Sequence, residues 1–399
     1  LLYHLAITIY HTALRIAALW HPKAQLWVNG RKGLLDRIER EVRSHQGRTV
    51  WVNCASLGEF EMARPIMEEM KAGPNPPRIV LTFFSPSGYE IRKDYAGADH
   101  VFYLPLDREA NAQRFMAAVQ PDVAVFVKYD LWWHFLKAAK AHGAQLVLIS
   151  AVFAQRQHFF KWYGGHGRRC LRLFDRIFTV DDDSVKLLRE IGIDHAESVG
   201  DTRYDRVMEV AAHWSGFPSI ERFKGESKLV VCGSTWVEDE VVIRKAMAQF
   251  PDVKWIMAPH EVGDANIKRM ERMFPSAERF SGYTDQQTNM LIVDSIGVLN
   301  RLYGHGDVAY VGGGFGRVLH NILEATAYGI PVIFGPDHAS FPDAGRMARQ
   351  GLVFSIRDAE GLSVALRRCL DAGVKQEEIL GFMRQRTGAK EAVLRFLGR

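Results

Sequence analysis

Short apolar runs rich in Val, Ile and Phe alternate along this chain with stretches of helical periodicity, and that alternation restricts its fold more than any other feature. Runs at residues 49–53, 78–83, 101–104, 123–127, 146–149 and 177–180 are short and nearly free of charge. They read as parallel strands covered on both faces. A second series follows at residues 229–232, 255–258, 291–293, 308–311 and 332–334. Strand and helix in succession, twice over, predict two consecutive α/β units. The segment Gly200-Asp201-Thr202-Arg203-Tyr204-Asp205 falls between the two series and places the hinge near Gly200. A length of 399 residues lets each half bury a full core, and no low-complexity tract or short-period repeat interrupts it.

Ligands of open α/β sheets lie outside the carboxyl ends of the strands, so two such sheets facing each other make a cleft lined by strand-to-helix loops. The run Val311-Gly312-Gly313-Gly314-Phe315-Gly316, closed by His320-Asn321-Ile322-Leu323-Glu324, reads as strand, glycine loop and helix start. Glycines let backbone N–H groups approach an anion, and a helix start adds unpaired donors and the positive dipole end. Glu324 in that first turn suits a pair of ribose hydroxyls. The spacing is not Gly-x-Gly-x-x-Gly and the motif lies late in the chain, which favours a nucleotide-sugar over a nicotinamide. A plain glycine-rich turn between a buried strand and a helix is the alternative.

In the first unit, residues 49–53 lead into Cys54-Ala55-Ser56-Leu57-Gly58-Glu59-Phe60 and then a helix. Ser56 and Glu59 have capping-box spacing, in which the Glu reaches back to the cap N–H. A carboxylate at the mouth of a cleft can equally have a raised pKa and act as a general base. Both readings stay open. Ser85-Pro86-Ser87-Gly88-Tyr89 and Lys128-Tyr129-Asp130-Leu131-Trp132-Trp133 combine polar groups with aromatic surface, suited to sugars or simply to helix-start packing. In the second unit Cys232-Gly233-Ser234-Thr235-Trp236 and Ala258-Pro259-His260-Glu261 end their strands where a nucleotide is expected. His260 with Glu261 is too thin a cluster for a metal, and no Asp-x-Asp follows a strand. A metal-independent transfer is expected, with Arg203 and backbone donors stabilising the leaving phosphate.

Residues 1–20 are apolar and lack any acid, while His4, Thr8, His11, Thr12 and Arg15 recur at helical spacing on one side. That is an amphipathic helix pattern. A spanning helix would hide two histidines and an arginine in hydrocarbon, whereas an interfacial helix keeps them at the headgroups. A core helix packed on the first domain fits the pattern too. Arg15, Lys23, Arg31, Lys32, Arg37, Arg40, Arg43 and Arg48 against Asp36, Glu39 and Glu41 give this end a surplus equal to the whole chain's +5, which favours an anionic inner leaflet. Trp20-His21-Pro22 does not read as a signal cleavage site. The four cysteines show no paired spacing, in keeping with a reducing, cytoplasmic setting.

Four ordered motifs, Ala55-Ser56-Leu57-Gly58-Glu59, Leu81-Thr82-Phe83-Phe84-Ser85-Pro86-Ser87-Gly88-Tyr89, Gly200-Asp201-Thr202-Arg203-Tyr204-Asp205 and His320-Asn321-Ile322-Leu323-Glu324, resemble the 3-deoxy-D-manno-octulosonic acid (Kdo) transferases of Gram-negative bacteria. The resemblance extends over nearly the whole chain. It implies a GT-B glycosyltransferase with two facing Rossmann-like domains, an interdomain cleft and an amphipathic membrane helix. The implied division is a membrane-associating helix at 1–24, an acceptor domain at 25–202, and a CMP-sugar domain at 203–399 whose last helices can pack back on the first. The implied reaction is inverting transfer of Kdo from CMP-Kdo, as donor substrate and without a cofactor, to a lipid A precursor at the inner face of the cytoplasmic membrane.

By the same resemblance Glu59 is the catalytic base, and Asp130 and Arg203 act on the transition state. Donor contacts fall on Ser234, Pro259, His260, Gly312, Gly313, Gly314, Asn321, Ile322, Leu323 and Glu324. Acceptor contacts are expected from Ser56, Gly58, Arg64, Ser87, Lys128 and Arg156, with Arg92, Lys93 and Lys161 as further phosphate candidates. Many family members carry Glu-Thr-Glu-Leu-Trp-Pro where this chain has residues 128–133, so Asp130 is one methylene shorter than the usual acid. Two other readings remain. One is a different GT-B transferase on a lipid-linked acceptor, or a related epimerase. The other is a catalytically silent membrane-surface nucleotide binder. Nucleic acid is a poor fit, because no arginine-aromatic tract follows the basic amino terminus.

Overall fold

The computed structural model describes residues 2–42, 47–284, 288–339, 341–372, 374 and 376–398, so Arg43 of the basic end lies outside the described residues. Strands β1 (Thr49–Cys54), β2 (Arg78–Phe83), β3 (His100–Tyr103), β4 (Val123–Val127), β5 (Gln145–Ala151), β6 (Arg176–Thr179) and β7 (Ala196–Ser198) form one sheet. Its order is β3-β2-β1-β4-β5-β6-β7, and every pairing is parallel. Strands β8 (Leu229–Thr235), β9 (Lys254–Pro259), β10 (Glu278–Arg279), β11 (Met290–Ile292), β12 (Val308–Val311), β13 (Val332–Phe334) and β14 (Val353–Ser355) form the second. Its order is β10-β11-β9-β8-β12-β13-β14, again all parallel.

Each sheet grows first to one side of its opening strand and then to the other. The reversal falls between β1 and β4 in one sheet and between β8 and β12 in the other. These are the topological switch points, where neighbouring crossovers part and leave room for a ligand. The central strands are buried along most of their length, as the apolar runs require. Strands β7, β10 and β14 are absent from the sequence reading. All three are edge strands with the sequences Ala-Glu-Ser, Glu-Arg and Val-Phe-Ser, and an edge with one neighbour needs no continuous apolar run.

The chain divides into two compact units, Leu1–Asp205 with Arg386–Arg399, and Arg206–Gln385. In the first unit Trp51, Phe115, Phe126 and Phe135 pack on one face of the sheet, while Phe60, Ile66 and Met67 cover the other. Val393, Leu394 and Leu397 of the carboxyl-terminal helix join that second layer. The Gly200–Asp205 motif holds the helix there. Gly200 has φ 93°, and a Cβ would sit 2.5 Å from the Arg386 carbonyl oxygen, so only glycine fits. Thr202 Oγ1 donates to the Met62 carbonyl at 2.6 Å. Asp205 accepts from the Gly388 and Lys390 N–H groups at 2.6 and 3.1 Å, capping the helix Ala389–Phe396 for roughly 1 kcal/mol.

The amino-terminal helix Leu2–Ala17 reaches only about 24 Å, and among the described residues no helix is long and apolar enough to cross a membrane. Ile7 is buried, and Tyr10 and His11 pack on Trp27. The Tyr3 hydroxyl donates to Asp107, which also accepts from the His134 and Phe135 N–H groups. Leu5, Ile9 and Ile16 stay exposed on another face, continued by Leu19 and Trp20. One apolar stripe therefore faces the domain and a second faces outward.

Candidate functional site

At the β1/β4 switch point the first unit gathers Asn53, Glu59, Lys128 and Asp130. Glu59 sits in the first turn of the helix Leu57–Ala72, whose cap residue Ser56 makes no side-chain cap bond. Its carboxylate accepts from the Ala55 N–H at 2.5 Å, one residue before the cap, so the reciprocal capping box is not formed. Burial pushes the Glu59 carboxyl upward, against the Ala55 N–H and the Lys128 ammonium. Lys128 has φ 58°, a left-handed conformation costly for a residue with a Cβ and found most often at functional sites. Burial and the nearby Arg203 lower its pKa, while Glu59 and Asp201 oppose that.

Asp130 is raised to about 7, first by burial and then by the Glu59 charge. Its Oδ2 accepts from Asn53 Nδ2 at 2.6 Å. Two carboxylates so placed do not ionise at the same pH, which is how one site holds both a base and a proton-bearing acid. Arg203 is held by Asp201, whose Oδ2 accepts from Nε at 3.0 Å and Nη2 at 2.6 Å. Asp201 is buried, so the guanidinium is oriented by a partner that water cannot displace.

The tentative acceptor residues spread more widely. Ser56 is half-buried and Gly58 exposed at the start of the Glu59 helix. Arg64 pairs with Glu68 at 2.8 Å and with Glu61 at 3.6 Å, and Arg92 also pairs with Glu61. Ser87 bonds Ser85 at 2.5 Å, and Arg156 is exposed. Of this group, Lys128 acts on Glu59 through its charge.

At the β8/β12 switch point the second unit presents rings. His260 stacks on Trp236 and on His320 with centroids 4.5 and 4.6 Å apart. Trp236 Nε1 donates to His320 Nε2 at 3.2 Å, so that nitrogen is an acceptor and the imidazole is neutral. Burial and His260 hold the His320 pKa down at about 4. Arg317 lies over the Trp236 ring at 4.7 Å. Ser234, at φ 53°, and Pro259 end the strands beneath the rings.

The glycine run owes its composition to backbone approach. A Cβ on Gly312 would lie 2.3 Å from the Ser234 carbonyl oxygen, and one on Gly314 2.7 Å from the Gly335 backbone. The Gly312 N–H donates to Gly233, that of Gly313 to Asp239 and that of Gly316 to Asp337. Those three donors are spent inside the protein. Asp239 holds the arrangement. It is buried and accepts from Gly313 N–H at 3.0 Å, Trp236 N–H at 2.9 Å and the Tyr310 hydroxyl at 2.8 Å. Asn321 Oδ1 accepts from Leu323 N–H, and its amide donates to Glu324 at 3.3 Å, so Asn321 orients the acid. Ile322 and Leu323 are buried.

Asn53, Asp201 and Asp239 were not singled out from sequence as site residues. A polar side chain ending an apolar strand was the available signal for Asn53, and cap spacing after Trp236 was the signal for Asp239. Among the described residues, no group of three or more His, Cys, Asp or Glu side chains is arranged to hold a metal ion.

Residues 29–206 match the family model described as 3-Deoxy-D-manno-octulosonic-acid transferase (kdotransferase). The 3-deoxy-D-manno-octulosonic acid transferase of Aquifex aeolicus is 28% identical over 336 residues, covering 82% of this chain and 87% of the relative. That of Haemophilus influenzae is 24% identical over 344 residues, covering 82% and 80%. Among solved structures, UDP-GlcNAc 2-epimerase from Neisseria meningitidis has a TM-score of 0.60 at 13% identity, covering 88% of this chain and 99% of that one. A glycosyltransferase from Rickettsia africae has a TM-score of 0.56 at 12% identity, covering 88% and 98%. These structural likenesses establish the fold, two Rossmann-like units of GT-B type. The family model covers residues 29–206 and the relatives match across most of the chain, so the chain is similar to the 3-deoxy-D-manno-octulosonic acid transferases over most of its length.

Proposed function

We propose that this protein transfers Kdo from CMP-Kdo to a lipid A precursor, lipid IVA, in lipopolysaccharide synthesis. The observation that carries the mechanism is Glu59, a carboxylate raised by burial, in a first helical turn beside Lys128. Glu59 accepts the proton of an acceptor sugar hydroxyl while that oxygen bonds to the anomeric carbon of Kdo. The bond from that carbon to the cytidine phosphate breaks as the new one forms, and attack from the opposite face inverts the centre. Arg203, oriented by Asp201, and backbone donors stabilise the phosphate as it leaves. That charge is met by side chains and backbone, so the reading assigns no metal, and chelator treatment leaves the rate unchanged.

In the second unit, the Trp236, His260 and His320 rings with Arg317 suit a pyrimidine and its phosphate, and Glu324 suits the ribose. The acceptor carries phosphates and acyl chains, which supports a role for the exposed stripe of the helix Leu2–Ala17 at the cytoplasmic face of the bacterial inner membrane. Trp162, 92% exposed, and Tyr163 add exposed aromatic surface to the first unit. The test is incubation of detergent-solubilised protein with fresh CMP-Kdo and tetra-acylated lipid A precursor, followed by mass spectrometry of the lipid. Gain of one or more Kdo masses supports the reading. No gain from a protein that binds CMP refutes this donor–acceptor pair.

A further inference from the structure

Asn53 and Thr82 are polar residues in otherwise apolar central strands, and parallel pairing sets them directly opposite each other. Both are fully buried, as is Trp51 two residues earlier on β1. Buried polar groups at this depth are tolerated only when their hydrogen bonds are made. Here the bonds run in one direction. The Trp51 indole can only donate, and it donates to Thr82 Oγ1 at 2.8 Å. Thr82 therefore sends its own proton onward, to Asn53 Oδ1 at 2.9 Å in preference to the Val52 carbonyl at 3.5 Å. With its oxygen so occupied, Asn53 must turn its NH2 group toward Asp130, where Nδ2 lies 2.6 Å from Oδ2.

We propose that Asn53 is a positioning residue for Asp130: the chain Trp51–Thr82–Asn53 fixes Asp130 Oδ2 as an acceptor and leaves Oδ1 as the oxygen that carries a proton. Rotating the Asn53 amide would put its oxygen against the Asp130 carboxyl and its NH2 against Thr82, and no buried water is needed to hold the observed orientation. The consequence is a defined orientation of the Asp130 carboxyl, with Oδ2 committed to Asn53. Burial first, and then Glu59 and Asp107, oppose ionisation of Asp130, while Asn53 favours it. Lys128, which faces Glu59, Asp201 and Arg203, completes the charged surroundings. Asn53 thus draws Asp130 back toward its ionised form, against burial and the Glu59 charge.

The functional part of this inference rests on the transferase reading, but its test does not. The full chain is labelled with carbon-13 at aspartate side-chain carboxyls, and the Asp130 resonance is assigned by its loss in Asp130→Asn. Asn53→Leu removes a donor to the charged form, so the titration midpoint should rise by about one pH unit. Thr82→Val frees the amide to rotate and should raise it by a smaller amount, whereas Thr82→Ser keeps the hydroxyl and the wild-type midpoint. Thr82→Val also guards against an Asn53 variant that does not fold. An unmoved Asp130 midpoint in folded Thr82→Val and Asn53→Leu protein overturns the proposal. If the midpoint moves and the pH profile of transfer moves with it, Asp130 acts in the reaction as well. If the midpoint moves and the profile does not, the positioning stands and the transferase role of Asp130 falls.

Discussion

The two sheets reach their switch points by the same route, yet the loops there differ in physical character. The first unit collects charge in a desolvated place: two carboxylates pushed upward, a lysine pushed down and a guanidinium held by a buried partner. The second collects rings and closely packed backbone, with a histidine kept neutral and a buried aspartate spent on holding loops. One arrangement suits moving a proton, and the other suits holding a flat base and its phosphate. A common fold thus carries two chemistries, decided by the side chains at the strand ends.

That contrast breaks first at Asp239. Asp239→Ala leaves the Gly313 and Trp236 N–H groups and the Tyr310 hydroxyl without their acceptor, for a loss of about 3–5 kcal/mol measurable by chemical denaturation. If the loss is confined to the second unit, the β8/β12 loops are built on this one side chain. Trp236→Ala should weaken CMP binding by roughly 10- to 100-fold in calorimetry, the worth of one lost stacking surface. Unchanged affinity would move the nucleotide away from the rings.

Most of the fold was legible because the central strands are buried on both faces and so need continuous apolar runs. Three of the four edge strands, β7, β10 and β14, were not, since Glu278-Arg279 and Ala196-Glu197-Ser198 carry no such run. The site was legible where a loop motif repeats a family pattern, as at Glu59 and His320–Glu324. It was not legible where a residue acts through another. Asn53 and Asp239 reach partners as distant in sequence as Asp130 and Gly313, and only the pairing of strands brings those groups together, while Asp201 acts through Arg203 two residues on. The reason for the glycines was also hidden: backbone contact with Gly335 and Ser234 excludes side chains there.

Ionisation gives a third test. Asp130 is raised when folded, so its contribution to stability is present at low pH and is lost as pH rises through about 7. Asp130→Asn should stabilise more at pH 8 than at pH 5, by about 1–3 kcal/mol, read from denaturation midpoints at the two values. The smallest effect belongs to the second unit. His320 is neutral above about 4, so cytidine affinity should vary by less than about twofold between pH 5 and 8, whereas transfer should fall on acidification as Glu59 takes up a proton.

The most direct measurement uses a single preparation of Glu59→Gln, with CMP affinity by calorimetry and Kdo transfer by mass spectrometry on the same sample. The division of labour predicts CMP affinity equal to wild type and transfer reduced by at least about a hundredfold. Transfer at the wild-type rate, or loss of CMP binding with the loss of transfer, would contradict it.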